Sequence, residues 1–200
     1  MEKVLVGMSG GVDSAAAALL LRQAGYEPVG CTLHLYSGTD AGRPGSCCSL
    51  EDTEDARAVA ARLGMDFYVF NFKETFRLRV MDDFVAEYRA GRTPNPCIQC
   101  NRYIKFDALL RRAQDLDIPR IATGHYARVV YSEAAGRWQL LRGLDRRKDQ
   151  SYVLYPLTQR QLSRLLLPVG DYDKAAIRAM AEAAGLVNAR KPDSQDICFV

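Results

Sequence analysis

Two hundred residues with 48% hydrophobic content suit a globular chain of one domain, or one domain and part of a second. No apolar run approaches the ~20 residues of a membrane span, and the opening MEKVLVGMSGG lacks the pattern of a secretory leader, so a cytoplasmic protein is expected. The net charge of +3 divides into −5 over residues 1–88, +9 over 89–164 and −1 over 165–200. The basic middle fits a polyanionic partner such as a phosphate backbone, and equally an ordinary solvated surface.

VLVGM (4–8) is a short apolar run ending in glycines and reads as a buried strand. An Ala- and Leu-rich helix follows from Asp13 to Ala24, closed by Gly25. EPVGCTLHLY (27–36) is a second strand, and residues 38–49 form a loop carrying Cys47 and Cys48. The next helix, 49–64, takes Ser49 as N-cap and Glu51 and Asp52 in its first turn. DFYVFNF (66–72) is a strand and Glu74 to Tyr88 a helix. GRTPNPCIQC (91–100) is a loop held open by two prolines, Asn101 to Leu116 a helix, and PRIATG (119–124) a strand. Residues 126–143 read as a hairpin turning near Ala135–Gly136, the stretch from Lys148 to Leu167 as helical, and Tyr172 to Ala184 as a helix closed by Gly185. Strands alternating with helices through short connections predict an α/β fold, a Rossmann-like doubly wound parallel sheet. Ligands of such sheets lie beyond the carboxyl ends of the strands, where SGGVDS, the loop after the second strand and TGHY all fall.

GMSGGVDS (7–14) joins a strand to a helix. Glycines there let backbone amides turn towards an anion, and the helix N-terminus adds partial positive charge. Ser9 and Ser14 offer hydroxyls to phosphate oxygens, and Asp13 offers a carboxylate to the Mg²⁺ that accompanies a triphosphate. The loop lacks the G-K-[ST] ending of a phosphoryl-transfer loop, and the chain has no GxGxxG. It suits gripping a pyrophosphate that leaves while AMP is transferred.

Six cysteines, at positions 31, 47, 48, 97, 100 and 198, in a chain expected in a reducing compartment point to metal binding or chemistry rather than a structural disulfide framework. Cys31 lies mid-strand and reads as buried packing; Cys47 and Cys48 carry no assigned role. His34 reads as structural, whereas His125 follows Gly124 at a strand end where a ligand crevice is expected.

SGGVDS resembles the signature of the PP-loop ATP pyrophosphatase superfamily. GRTPNPCIQCN, IKFDALL, IATGHYAR, LLRGLDRRKDQSYVLYPL and DSQDICF narrow the resemblance to the tRNA-specific 2-thiouridylases, from Val4 to Phe199. It implies an adenine nucleotide alpha hydrolase-like fold and ATP-dependent 2-thiolation of the wobble uridine of tRNA. The uridine C2 oxygen is adenylated, and sulfur then attacks C2 as AMP departs. ATP and Mg²⁺ are the implied cofactors. The implied partners are tRNA and a sulfur source, either a donor protein handing on persulfide or free sulfide. Family members continue into a central domain and a C-terminal β-barrel. Residues 1–165 are therefore expected to be the catalytic domain and 166–200 the start of the central tRNA-binding domain, with the barrel absent.

The resemblance assigns nucleotide binding to Gly7, Met8, Ser9, Gly10, Gly11, Val12, Asp13, Ser14, Leu33 and Gly124. It brings Asn95, Pro96 and Cys97 to the target base, and Lys148, Asp149 and Gln150 to tRNA; the basic run Arg142, Arg146, Arg147 and Lys148 suits phosphate contacts independently. Cys100 aligns with the catalytic cysteine and Cys198 with the persulfide carrier. Where one branch of the family has aspartate, this chain has Cys97, as in the branch for which a [4Fe–4S] cluster on three cysteines is proposed. TPNPCIQCN thus has three readings: cluster ligands with Cys198, a persulfide or disulfide device in which Cys100 resolves the sulfur on Cys198, or half of a structural zinc site. Rival functions are another AMP-forming PP-loop synthetase or amidotransferase with a small substrate, and a non-catalytic nucleotide- or RNA-binding fragment.

Overall fold

The computed structural model describes residues 1–36, 50–193 and 197–199. Cys47, Cys48 and the proposed cap Ser49 lie outside the described residues. β1 (Lys3–Gly7), α1 (Val12–Gln23), β2 (Glu27–His34), α2 (Leu50–Arg62) and β3 (Phe67–Asn71) follow the expected order. β4 (Arg120–Thr123) and β7 (Leu165–Leu166) complete one five-stranded sheet in the order β3-β2-β1-β4-β7, with every pair parallel. β5 (Ala127–Ser132) and β6 (Arg137–Arg142) form the expected antiparallel hairpin.

Alternation along the strands assigns each side chain to one of two cores. Val4 and Val6 of β1 pack with the buried alanines of α1, whereas Leu5 packs with Val29, Cys31 and Leu33 of β2 on the opposite face. Both faces are covered, which is why these strands read as continuous apolar runs. Ala15, Ala16, Ala17 and Ala18 are fully buried, and such short side chains let α1 lie close to the sheet. Leu165 and Leu166 pair with Ile121 and Ala122 at the sheet edge. α8 (Lys174–Ala183) buries Ile177 and Ala181 in the core that holds α1. The segment after residue 165 therefore packs here on the same sheet and helix as the segment before it.

Three expected elements differ. The third helical run opens as α3 (Lys73–Phe76), widens to π-helical winding over Arg77–Met81 and continues as α4 (Asp82–Arg89). The stretch expected to be an open loop contains a short helix, α5 (Pro96–Cys100). It runs on through a π-helical segment (Asn101–Ala108) into α6 (Leu109–Asp115). Residues 148–167 are not one helix: they hold a 3-10 turn (Ser151–Val153), a one-turn helix α7 (Gln159–Leu162) and the edge strand β7. Among the described residues no helix is long and apolar enough to cross a membrane.

Candidate functional site

The chain builds β2 and β3 on one side of β1 and then crosses to place β4 on the other. The direction of winding therefore reverses between β1 and β4, and a crevice opens at their carboxyl ends. Gly7 and Thr123 are register partners at those ends. A cavity of about 380 Å³ lies there.

The glycine loop forms its floor. Ser9 N–H donates to Ser14 Oγ at 3.2 Å, and Ser14 Oγ donates to the Gly11 carbonyl at 3.0 Å, so the Ser14 hydroxyl closes the turn. Gly11 precedes α1 with no side chain capping the first turn, leaving that turn suited to an anion. Gly10 has φ +74°, and a Cβ there would lie 2.5 Å from the Asp52 carbonyl oxygen. A Cβ on Gly124 would lie 2.6 Å from the backbone of Asp13 and Ser14, so strand β4 supports the loop through a position that only glycine fits.

The expected nucleotide residues Gly7, Met8, Ser9, Gly11, Val12, Asp13, Ser14, Leu33 and Gly124 all line the cavity; Gly10 does not, and its carbonyl accepts from Asn188 Nδ2 at 2.9 Å. Asp13 is already engaged. Lys174 Nζ donates to both its carboxylate oxygens, at 2.7 and 2.8 Å, and Tyr126 OH donates to Oδ1 at 2.7 Å. Burial and the neighbouring Asp13 charge push the Tyr126 phenol up, keeping it a donor. A magnesium ion at Asp13 would have to displace that lysine.

Cys97, Cys100 and Cys198 line the same cavity, as does Pro96. Asn95 caps α5, its Oδ1 accepting from Cys97 N–H at 3.0 Å with Pro96 at the first helical position. Cys97 is exposed, Cys100 buried and Cys198 half-buried. Phe199 holds the Cys198 segment in place: its ring stands edge-on to Phe76 at 5.6 Å and to Phe84 at 5.4 Å. Among the described residues no three His, Cys, Asp or Glu side chains stand together closely enough to hold a metal ion. As placed, Cys97, Cys100 and Cys198 are not gathered closely enough to share a cluster; Cys47 and Cys48, on which a zinc site would draw, lie outside the described residues. Cys31 is fully buried, and its thiol donates to the Val6 carbonyl at 3.4 Å.

His125 lines the cavity beside Lys105 and accepts or donates at Thr123 Oγ1, 2.8 Å away. Burial, with the Lys105 charge added, holds its pKa well below the usual histidine range, so the ring is neutral near pH 7. Lys148 and Gln150 line the cavity, but Gln150 also clips the corner after β4: its side-chain Oε1 accepts from Tyr126 N–H, and its own N–H donates to the Tyr126 carbonyl. Asp149 lies outside the cavity lining; its carboxylate accepts from Gly143 N–H and from Ser151, so it shapes the basic turn. Arg142, Arg146 and Arg147 are exposed on that turn.

Sequence reading missed Lys174, Tyr126 and Asp193. Asp193 Oδ1 pairs with Lys174 at 2.7 Å and with Arg178 at 3.6 Å, and its Oδ2 pairs with Lys148 at 2.7 Å. Burial alone would raise the Asp193 carboxyl, but the hydrogen bonds from Lys148 and Lys174 outweigh it and bring its pKa down to about 2. The only signal was the acidic residue opening DSQDICF.

Residues 2–200 match the family described as tRNA methyl transferase HUP domain. The chain is 55% identical, over its whole length, to a tRNA-specific 2-thiouridylase MnmA of Carboxydothermus hydrogenoformans, covering 55% of that protein. It is 50% identical to the protein of the same name in Clostridioides difficile, again over the whole chain and 55% of the relative. The chain thus spans about half the length of these curated relatives. A 4-thiouridine synthetase solved in complex with RNA and bound ATP shares the fold, with TM-score 0.63 and 18% identity over 99% of this chain and 45% of that one. An NMN synthetase of Francisella tularensis shares it at TM-score 0.53 and 17% identity, over 95% of this chain and 65% of that one.

Proposed function

The chain belongs to the tRNA methyl transferase HUP domain family, and from that premise we propose that it is the nucleotide-binding catalytic part of a cytoplasmic tRNA-uridine 2-sulfurtransferase. The observation that carries this reading is the single cavity that gathers the SGGVDS loop, Gly124 and the three cysteines 97, 100 and 198. A nucleotide grip and candidate sulfur carriers in one crevice suit a reaction that first activates an oxygen and then displaces it. The half-identical relatives, named tRNA-specific 2-thiouridylases, support the same reaction.

ATP sits with its phosphates on the glycine loop and the open first turn of α1, its nucleoside reaching Leu33 and Gly124. A uridine flipped out of tRNA enters beside Pro96 and Cys97. Its C2 oxygen forms a bond to the α-phosphorus, the bond from that phosphorus to the bridging oxygen breaks, and pyrophosphate leaves. The terminal sulfur of a Cys198 persulfide attacks C2, and the C2–O bond breaks with release of AMP. The Cys100 thiolate then attacks Cys198 Sγ. The persulfide S–S bond breaks, leaving sulfur on the base, and a Cys100–Cys198 disulfide is left for an external dithiol to reduce before the next turnover. A donor protein charges the reduced Cys198 by passing on the outer sulfur of its own persulfide and keeping a thiol. Free sulfide charges it only by attacking the Cys100–Cys198 disulfide before reduction, which breaks that S–S bond and leaves a Cys198 persulfide and a Cys100 thiol. Gln150 and the exposed arginines of the basic turn lie on the tRNA side. Asp149 positions that turn.

Cys100→Ser and Cys198→Ser, made in the full-length protein, are each expected to abolish 2-thiouridine in tRNA digests read by mass spectrometry. Normal thiouridine from either variant removes that cysteine from the mechanism. Iron analysis of anaerobically purified protein is expected to find no stoichiometric iron; three or four irons per chain would replace the persulfide route with a cluster-based one.

A further inference from the structure

One end of the cavity is an ionic cluster that the reaction above does not use. Lys174, with its side chain only 13% exposed, bridges Asp13 on the glycine loop and Asp193. All three of its ammonium hydrogens have carboxylate acceptors, at 2.7, 2.8 and 2.7 Å. Lys148 reaches the other Asp193 oxygen at 2.7 Å, and Arg178 stands at 3.6 Å. Asp193 thus presents two oxygens to three cations, much as one phosphate would. Asp193 lines the cavity together with Lys148 and Asp13, whereas Lys174 and Arg178 are outside the lining and reach it through these carboxylates. Three cations face three carboxylates here, the third being Asp145, which accepts from Lys174 N–H at 3.2 Å and adds its charge to those around Lys148. If Asp193 withdraws, the cluster has a surplus of one positive charge beside the loop that grips phosphate.

We propose that Lys148, Lys174 and Arg178 form the subsite for the outer phosphates of a nucleoside triphosphate, and that Asp193 fills this subsite when no nucleotide is bound. The inference rests on the reading of the cavity as an ATP site. It gives Lys148 a phosphate of the nucleotide, where the family resemblance gave it tRNA. Asp193 and the outer phosphates compete for the same ammonium groups. Arrival of a triphosphate therefore frees the carboxylate, and departure of pyrophosphate recaptures it. AMP lacks the outer phosphates and leaves Asp193 in place.

Calorimetric titration of the chain with ATP, AMP and inorganic pyrophosphate separates the possibilities. Lys174→Gln and, independently, the more exposed Lys148→Gln are expected to weaken ATP and pyrophosphate by about tenfold while leaving AMP unchanged, the loss of one charged hydrogen bond. Asp193→Asn is expected to tighten pyrophosphate several-fold. Equal losses for ATP and AMP in both lysine variants would make the cluster merely structural and overturn the proposal, as would unchanged or weaker pyrophosphate binding by Asp193→Asn. Absence of ATP and AMP binding by the unmodified chain would overturn the nucleotide reading itself, a result distinct from failure of the subsite.

Discussion

Gly124 shows how much of this site depends on a missing atom. Its Cα lies so close to the Asp13–Ser14 peptide that an added Cβ would meet both the carbon and the nitrogen of that bond at 2.6 Å, and backbone cannot turn aside as a flexible side chain does. Gly124→Ala is therefore expected to displace the SGGVDS turn and weaken ATP by about tenfold or more, the affinity equivalent of a modest overpacking cost. Unchanged ATP affinity by calorimetry would dismiss the loop as the nucleotide seat. The sequence marked this glycine only by its place after a strand. The reason for it, a helix start pressing from a segment more than a hundred residues earlier, has no local signature. Lys174, Tyr126 and Asp193 were hidden for the same reason: each is an ordinary polar residue until the fold brings it to Asp13 or Lys148.

Elements were most legible where burial on both faces leaves a plain pattern. β1, β2, β4 and the hairpin fall within a few residues of where apolar runs and turn residues place them. The misreadings have physical causes. Asn95–Pro96 was read as loop punctuation, yet Asn is a good helix cap and Pro suits the first helical position, and together they start α5. The wide turns over Arg77–Met81 and Asn101–Ala108 escape a search for a repeat of 3.6, because one extra residue per turn shifts the phase without interrupting the helix. β7 is two residues long and carries no alternation to find. α8 illustrates a terminal device with a measurable effect. Asp173 Oδ1 accepts from Ala176 N–H at 2.7 Å, and the next residue is Lys174. Asp173→Ala is expected to cost about 1 kcal/mol in urea unfolding, whereas Asp173→Asn retains most of that. Equal losses from both would show that the charge, rather than the cap, matters.

Across the whole molecule, the two histidines make stability sensitive to mild acid. His125 is neutral and enclosed, its pKa held down by burial and by Lys105, and His34, far more exposed, shifts the same way. The unfolded chain takes up protons below about pH 6.5 where the folded chain does not. Stability therefore falls as pH drops below that value, by up to about 1.4 kcal/mol per pH unit for His125. The depressed Asp193 carboxyl acts in a separate window: its contribution is present above about pH 4 and is lost only as pH falls towards 2. Denaturant unfolding between pH 7.5 and 5 is expected to show the histidine slope in the wild type and a shallower one in His125→Gln; parallel slopes would contradict the enclosed neutral ring. The contacts that frame the cavity also join remote parts of the chain: Asp13 to Lys174 spans 161 positions and Gly10 to Asn188 spans 178. Such closures are slow to form, because a long stretch of chain must be ordered before they repay the entropy. During synthesis on the ribosome, the nucleotide's seat has its first residues made earliest and its last rim residues made nearly two hundred codons later. Capture of ATP by a nascent chain would therefore be a late event and a direct readout that this part of the polypeptide had finished folding.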